Sequence, residues 1–180
     1  GEVYDELVAL GANMILGEHY LDKIQDGTQT VFKTPGIRCD VPALKAAAES
    51  GAEITSEMEL FFETCPCKII AVTGSDGKTT TTSLIYEMLK AAGYKCHLGG
   101  NIGKPLVADV EDMTPDDVCV VELSSFQLHT MKRSADIAVV TNVTPNHLDW
   151  HTDFDEYKDS KKAIFKYQSR GGRVVLNYDN

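Results

Sequence analysis

The stretch Lys68 to Leu84, KIIAVTGSDGKTTTTSL, constrains this chain more than any other part of it. An apolar strand runs into a turn punctuated by Gly74 and Gly77, and a Thr-rich helix start follows directly. Glycines without Cβ atoms let main-chain N–H groups close around an anion, and the helix adds its positive end. Lys78 can reach phosphate oxygens as a point charge, and the Thr79 hydroxyl is placed to ligate Mg²⁺. The spacing is the shorter G-x-x-G-K-T form, because Val72 stands where the commoner pattern has its first glycine. A glycine-rich turn beside an ordinary surface lysine is the alternative reading. The strand before and the helix after favour a phosphate-binding loop and a nucleoside triphosphate ligand.

With 180 residues, 43% of them hydrophobic, the chain can bury a real core as one large domain or two small ones. No apolar run approaches the length of about 20 residues that spans a bilayer, and no charged-then-apolar leader opens the sequence. The formal charge of −10 argues against nonspecific attachment to nucleic acid or to anionic membrane. Cys39, Cys65, Cys67, Cys96 and Cys119 are odd in number and scattered, which suggests reduced thiols and a cytoplasmic setting. Cys65-Pro66-Cys67 invites a metal or redox reading, but without a second pair a linker is the plainer one.

Thr30 to Lys33 predicts a short strand, and Thr34-Pro35-Gly36 a turn at its end. Asp40-Val41-Pro42 before ALKAAAESG predicts a helix with a cap-capable Asp, a first-turn proline and Gly51 as the stop. Further on, Ile69–Val72, Val118–Leu123, Ile137–Val143 and Val174–Leu176 read as parallel strands covered on both faces, because their hydrophobicity is continuous. A helix from about Thr79 to Ala92 lies between the first two, with Gly93 as its stop. The Cys65 to Cys67 region then joins a small N-terminal part to a larger nucleotide-binding one. Ligands of open α/β sheets sit beyond the carboxyl ends of strands, so the Thr34–Gly36 turn is a candidate site.

Other strand ends carry chemistry. Glu122, in VVELSSFQ, ends a buried strand where a second oxygen ligand for Mg²⁺ is needed beside Thr79. Thr141 to Asp149, TNVTPNHLD, delivers His147 and Asp149 to the same edge. On the helix from Asp153 to about Gln168, a turn of roughly 100° per residue gathers Phe154, Tyr157, Ile164, Phe165 and Gln168 on one face, with Lys161 in their midst. An unpaired buried ammonium is costly. Lys161 therefore either snorkels to the surface or becomes a neutral amine that can take up CO₂ as a carbamate, an anionic ligand for a second Mg²⁺ beside His147.

In order, TGSDGKTTTT, GGNIGKPL, ELSSFQL, TNVTPNHLD and YKDSKKAI resemble the Mur ligases of peptidoglycan synthesis, and the likeness extends upstream through TPGI and SEMELF. ELSSFQL and GGNIG point, within the family, to the member that adds D-glutamate. The fold implied is α/β: a partial Rossmann-like, UDP-substrate-binding N-terminal domain over residues 1–66 and part of a parallel-sheet P-loop ATPase domain over 67–180. By resemblance, ATP phosphates lie on Gly74, Ser75, Asp76, Gly77, Lys78, Thr79 and Thr80. Thr79 and Glu122 hold one Mg²⁺, and His147 with a carbamylated Lys161 the other. Catalysis falls to Lys78, His147 and Lys161. Thr34, Pro35 and Gly36 meet the uridine diphosphate, and Asn101, Ser124 and Gln127 the muramoyl-alanine. The reaction implied is ATP-driven amide formation between UDP-N-acetylmuramoyl-L-alanine and D-glutamate by a monomer. Sister ligases, folylpolyglutamate-type enzymes, and a nucleotide-binding module without catalysis are the alternatives. Asp76 stands where the family usually has Asn. The family's opening strand and C-terminal domain are missing, so ligase activity is not expected of these residues alone.

Overall fold

The computed structural model describes residues 1–24 and 26–180. The helices are α1 (Glu2–Ala9), α2 (Pro42–Glu49), α3 (Glu57–Thr64), α4 (Lys78–Ala91), α5 (Ser125–Leu128) and α6 (Phe154–Lys166). The strands are β1 (Thr30–Phe32), β2 (Glu53–Thr55), β3 (Lys68–Thr73), β4 (Cys96–Gly100), β5 (Val118–Glu122), β6 (Ile137–Val140) and β7 (Arg173–Leu176). β1 and β2 form a two-stranded sheet, and the other five form a second sheet. Two compact units result: residues 1–31 with 37–54, and residues 32–36 with 55–180.

In the first unit α2 starts as its sequence predicts, with Pro42 in the first turn and Gly51 in the left-handed conformation at its end. The cap differs from expectation. Val41 occupies that position, while the Asp40 carboxylate is held by the Arg38 guanidinium at 2.8–3.1 Å. Leu44, Ala47 and Ala52 are the buried apolar residues of this part.

The second unit is a parallel sheet in the order β4-β5-β3-β6-β7. Alternation along the central strands separates two apolar layers. Ile70, Val118 and Val120 meet Ile85, Tyr86 and Leu89 of α4. Ile69, Ala71, Cys119 and Val121 point the other way, into a larger core with Phe61 of α3 and Ile164 of α6. Helices thus cover both faces, which is what continuous apolar strands require.

Two strands differ from the sequence reading. The segment Cys96–Gly100 pairs with β5 as an edge strand, although its two glycines and half-exposed side chains gave no strand signal. β7 is apolar yet exposed throughout, because it is the opposite edge and no element covers it among the described residues. The Cys65–Cys67 segment lies inside the second compact unit. α3 packs into the core of the second unit, and Cys67 is buried beside it.

Candidate active site

β3 ends at Thr73 and α4 begins at Lys78, so residues 74–77 form the loop at the carboxyl edge of the central strand. Gly74 passes so close to the end of β6 that an added Cβ would run into Thr141 Oγ1 and approach the Asn142 backbone at 3.1 Å. Gly77 has φ 76°, a left-handed conformation that glycine adopts without strain. The first N–H groups of a helix have no intrahelical partner, so the start of α4 turns free donors toward the loop.

Two neighbours hold this loop from opposite sides. From the β6 side, Ser75 N–H donates to Asn142 O (2.9 Å) and Asp76 N–H to Asn142 Oδ1 (2.9 Å), while Thr141 Oγ1 donates to Asp76 O (2.6 Å). From the α6 side, Tyr157 Oη and Ser75 Oγ lie 2.8 Å apart. The Asp76 carboxylate remains exposed. Neither Asn142 nor Tyr157 stood out in the sequence as a loop contact, because each depends on which strand and helix flank β3.

Lys78 Nζ folds back on the loop, donating to Gly74 O (3.0 Å) and Ser75 O (2.9 Å). Lys161 arrives from α6 at the same carbonyl. Its Nζ donates to Gly74 O (2.9 Å) and Thr73 Oγ1 (3.4 Å), and lies 4.6 Å from the centre of the Tyr157 ring. The side chain is 3% exposed, which excludes snorkelling. Burial, with a smaller contribution from Lys78, lowers its pKa from 10.5 to about 7. Two basic side chains therefore converge on one end of the loop, an arrangement that favours a polyanion.

Glu122 closes the opposite side. β5 pairs with β3 so that Glu122 stands beside Val72, and its carboxylate is 2% exposed. Thr79 Oγ1 donates to Oε2 (2.7 Å) and Asn101 Nδ2 to Oε1 (2.8 Å). Gly100 makes the second contact feasible, since a Cβ there would collide with Glu122 O. Both side-chain partners are neutral. A buried carboxylate with a hydroxyl beside it is a hard oxygen set, and it fits Mg²⁺.

His147 lies farther along the loop after β6. Its backbone has φ 53°, uncommon for a residue other than glycine, and its exposed ring packs against Phe126 with centroids 4.8 Å apart and planes tilted by 59°. Among the described residues it makes no hydrogen bond to Glu122 or Lys161. Phe126 also packs on Trp150 (4.7 Å), whose Nε1 donates to Gly36 O (2.9 Å). His151 is buried with Nε2 2.9 Å from Ser125 Oγ, and Thr152 N–H donates to Glu156 Oε2 (2.7 Å). This aromatic group was not foreseen. Trp150 and His151 so close to His147 in sequence were its only signal.

Thr34, Pro35 and Gln127 line one cavity of about 240 Å³ with Lys33, Glu57 and Met58. Lys33 is buried there, and Glu57 Oε1 has no hydrogen-bond partner among the described residues. Ser124 and Gln127 also serve the fold. Ser124 Oγ accepts from Gln127 N–H (3.2 Å) and Gln127 Oε1 from Ser124 N–H (2.9 Å), a capping box that starts α5.

Comparison with known proteins agrees with this geometry. The family profile of the Mur ligase middle domain matches residues 72–180. The UDP-N-acetylmuramoylalanine–D-glutamate ligase of Acetivibrio thermocellus is 61% identical over 165 residues, 92% of this chain and 35% of that protein. The same-named enzyme of Clostridium botulinum (strain Okra / Type B1) is 56% identical over 180 residues, all of this chain and 39% of that protein. The chain thus spans between 35% and 39% of the length of these relatives. Among solved structures, the MurF ligase from Thermotoga maritima in complex with ADP superposes with a TM-score of 0.56 at 20% identity, covering 89% of this chain and 45% of that one. With the phosphate loop, the buried Glu122 and the matched residues in one parallel sheet, the chain belongs to the Mur ligase family.

Proposed function

We propose that this chain is the nucleotide-binding part of a ligase that adds D-glutamate to UDP-N-acetylmuramoyl-L-alanine in cytoplasmic peptidoglycan precursor synthesis, acting as a monomer. The observation that carries the reading is the Thr79–Glu122 pair at 2.7 Å beside the cationic loop. The names and identities of the relatives support the choice of acceptor and amino acid.

On this reading residues 1–66 belong to the UDP-substrate part and 67–180 to the ATP-binding part. The triphosphate of ATP lies along Gly74 to Thr80, and Lys78 leaves its two carbonyl acceptors to pair with the transferred γ-phosphoryl group. Thr79 and Glu122 would hold one Mg²⁺, whose charge would offset the repulsion between the triphosphate and the attacking carboxylate. Lys161, with a pKa near 7, is partly neutral at physiological pH and can add to CO₂, the N–C bond forming as a proton leaves to water; the carbamate so formed, with His147, would hold a second Mg²⁺. Thr34, Pro35 and Gly36 take the uridine diphosphate, and Asn101, Ser124 and Gln127 lie along the muramoyl-alanine.

The alanine carboxylate oxygen bonds to the γ-phosphorus as the bond to ADP breaks, giving an acyl phosphate. The D-glutamate amine then attacks the acyl carbon, loses a proton, and phosphate leaves with the C–O bond.

The test is phosphate release by the full-length enzyme with ATP and UDP-N-acetylmuramoyl-L-alanine, comparing D-glutamate with L-lysine, meso-diaminopimelate and folate-type acceptors. Release specific to D-glutamate is expected. Equal release with another pair assigns the chain to a sister ligase, and nucleotide binding without release to a non-catalytic module. The 180-residue chain itself is expected to bind Mg²⁺·ADP and to form no product.

A further inference from the structure

Away from the phosphate loop, at the opposite end of the sheet, three cysteines distant in sequence meet. Cys65 caps α3, Cys67 lies just before β3, and Cys119 lies in β5 beside Ile69. Their Sγ atoms are 3.6 Å (65–67), 3.7 Å (65–119) and 3.5 Å (67–119) apart. A fourth sulfur, Met113 Sδ, is 3.7 Å from Cys119 Sγ. Cys67 and Cys119 are buried, and Cys65 is half-buried.

The near-equilateral triangle has a chemical meaning. In a tetrahedral zinc site with Zn–S bonds of about 2.3 Å, adjacent sulfurs are about 3.8 Å apart. Trigonal coordination at the same bond length would need roughly 4.0 Å, wider than any of these separations. An ion about 2.3 Å from all three sulfurs stands roughly 1 Å out of their plane, leaving a fourth position open to Met113 or water. There is also a way in. Cys65 and Cys67 line a polar cleft whose other walls include Lys132, Arg133 and Asp136. The cleft carries the acids Glu63 and Asp136 as well as the two cations, and Arg133 Nε lies 3.5 Å from Glu63 Oε1, so its charge is balanced around the two cysteines.

We propose that Cys65, Cys67 and Cys119 form a zinc site that staples the α3–β3 connection to β5 beneath the nucleotide-binding strand. Binding exchanges the remaining thiol protons for the ion, with no change of oxidation state.

The test uses the reduced, chelator-treated 180-residue chain under anaerobic conditions, titrated with Co²⁺ alone and then with Zn²⁺. The expected result is one Co²⁺ per chain, with a thiolate-to-cobalt charge-transfer band and the d–d bands of a tetrahedral site, both abolished by Zn²⁺. Zinc should also protect the half-buried Cys65 from alkylation in the folded protein, while Cys39 and Cys96 keep reacting. Cys65→Ser, at the half-buried corner, should weaken binding by more than the roughly 10–100-fold that outer-shell changes bring, with an unchanged far-UV spectrum. Cys96→Ser should have no effect. If Cys119→Ser does not fold, Cys65→Ser and the alkylation pattern still decide. Absence of the charge-transfer band, its persistence in Cys65→Ser, or alkylation of Cys65 at the same rate with and without zinc overturns the proposal. The readout does not depend on nucleotide or ligase activity, so its failure leaves the functional reading standing.

Discussion

Replacing Lys161 by methionine isolates the cost of sinking an amine under the phosphate loop. In the folded chain burial, and secondarily Lys78, hold the Lys161 pKa at about 7, whereas unfolded it returns to 10.5. Between those values the unfolded state binds one more proton than the folded state, so stability rises with pH by about 1.4 kcal/mol per unit. Below about pH 7 both states are protonated and the full penalty remains, on the order of 5 kcal/mol; above about 10.5 it has vanished. Exposure of only 3% leaves little solvent to screen it. Methionine keeps a similar length without a titrating group, so the difference between the two stability curves cancels almost every other ionisation. Urea denaturation followed by circular dichroism from about pH 6 to 9 should show wild type gaining about 2–3 kcal/mol relative to Lys161→Met across that range. Curves that stay parallel within about 0.5 kcal/mol, which mean that the amine reaches water in solution, or a difference of opposite sign, which means that an anionic partner holds it charged, refute the reasoning.

Glu122→Gln keeps polar atoms opposite Thr79 and Asn101 while removing the buried charge. Urea stability without metal should change by no more than about 1 kcal/mol, and the part of the ADP-induced thermal shift that needs Mg²⁺ should disappear; an intact magnesium dependence rules Glu122 out as a ligand. Gly74→Ala drives a methyl group into Thr141 and the Asn142 backbone, and should lower stability by about 1–3 kcal/mol in denaturant titration along with loss of nucleotide binding. Ser124→Ala removes one half of the capping box before α5 and should cost about 1 kcal/mol by the same titration, a role separable from any contact with substrate.

The features legible in the sequence were those written locally. The β3–loop–α4 unit announces itself within seventeen residues, because apolar run, glycine spacing and hydroxyl-rich helix start are all neighbours in the chain. The burial of Lys161 was open to reading from one helix's periodicity, and the structure removes the surface alternative. What escaped depends on sheet order. β4 carries little strand propensity of its own and forms because β5 offers it an edge. The Asn142 and Tyr157 contacts to the loop, and the meeting of Cys119 with Cys65 and Cys67, appear only once β3 is known to lie between β5 and β6. Hydrophobic continuity correctly placed the central strands but overstated the cover on β7, since an apolar run cannot say whether it ends a sheet.

The loop is braced by residues more than forty positions away on one flank and more than sixty on the other, Glu122 and Asn142. Its local sequence writes the receptor, but distant partners cure it into shape. During folding, β3 and α4 could pair early and still offer nothing firm to a nucleotide until β5 and β6 had docked on either side of β3. Acquisition of ADP affinity should therefore be among the last events of renaturation, so that a fluorescent nucleotide serves as a clock for its completion.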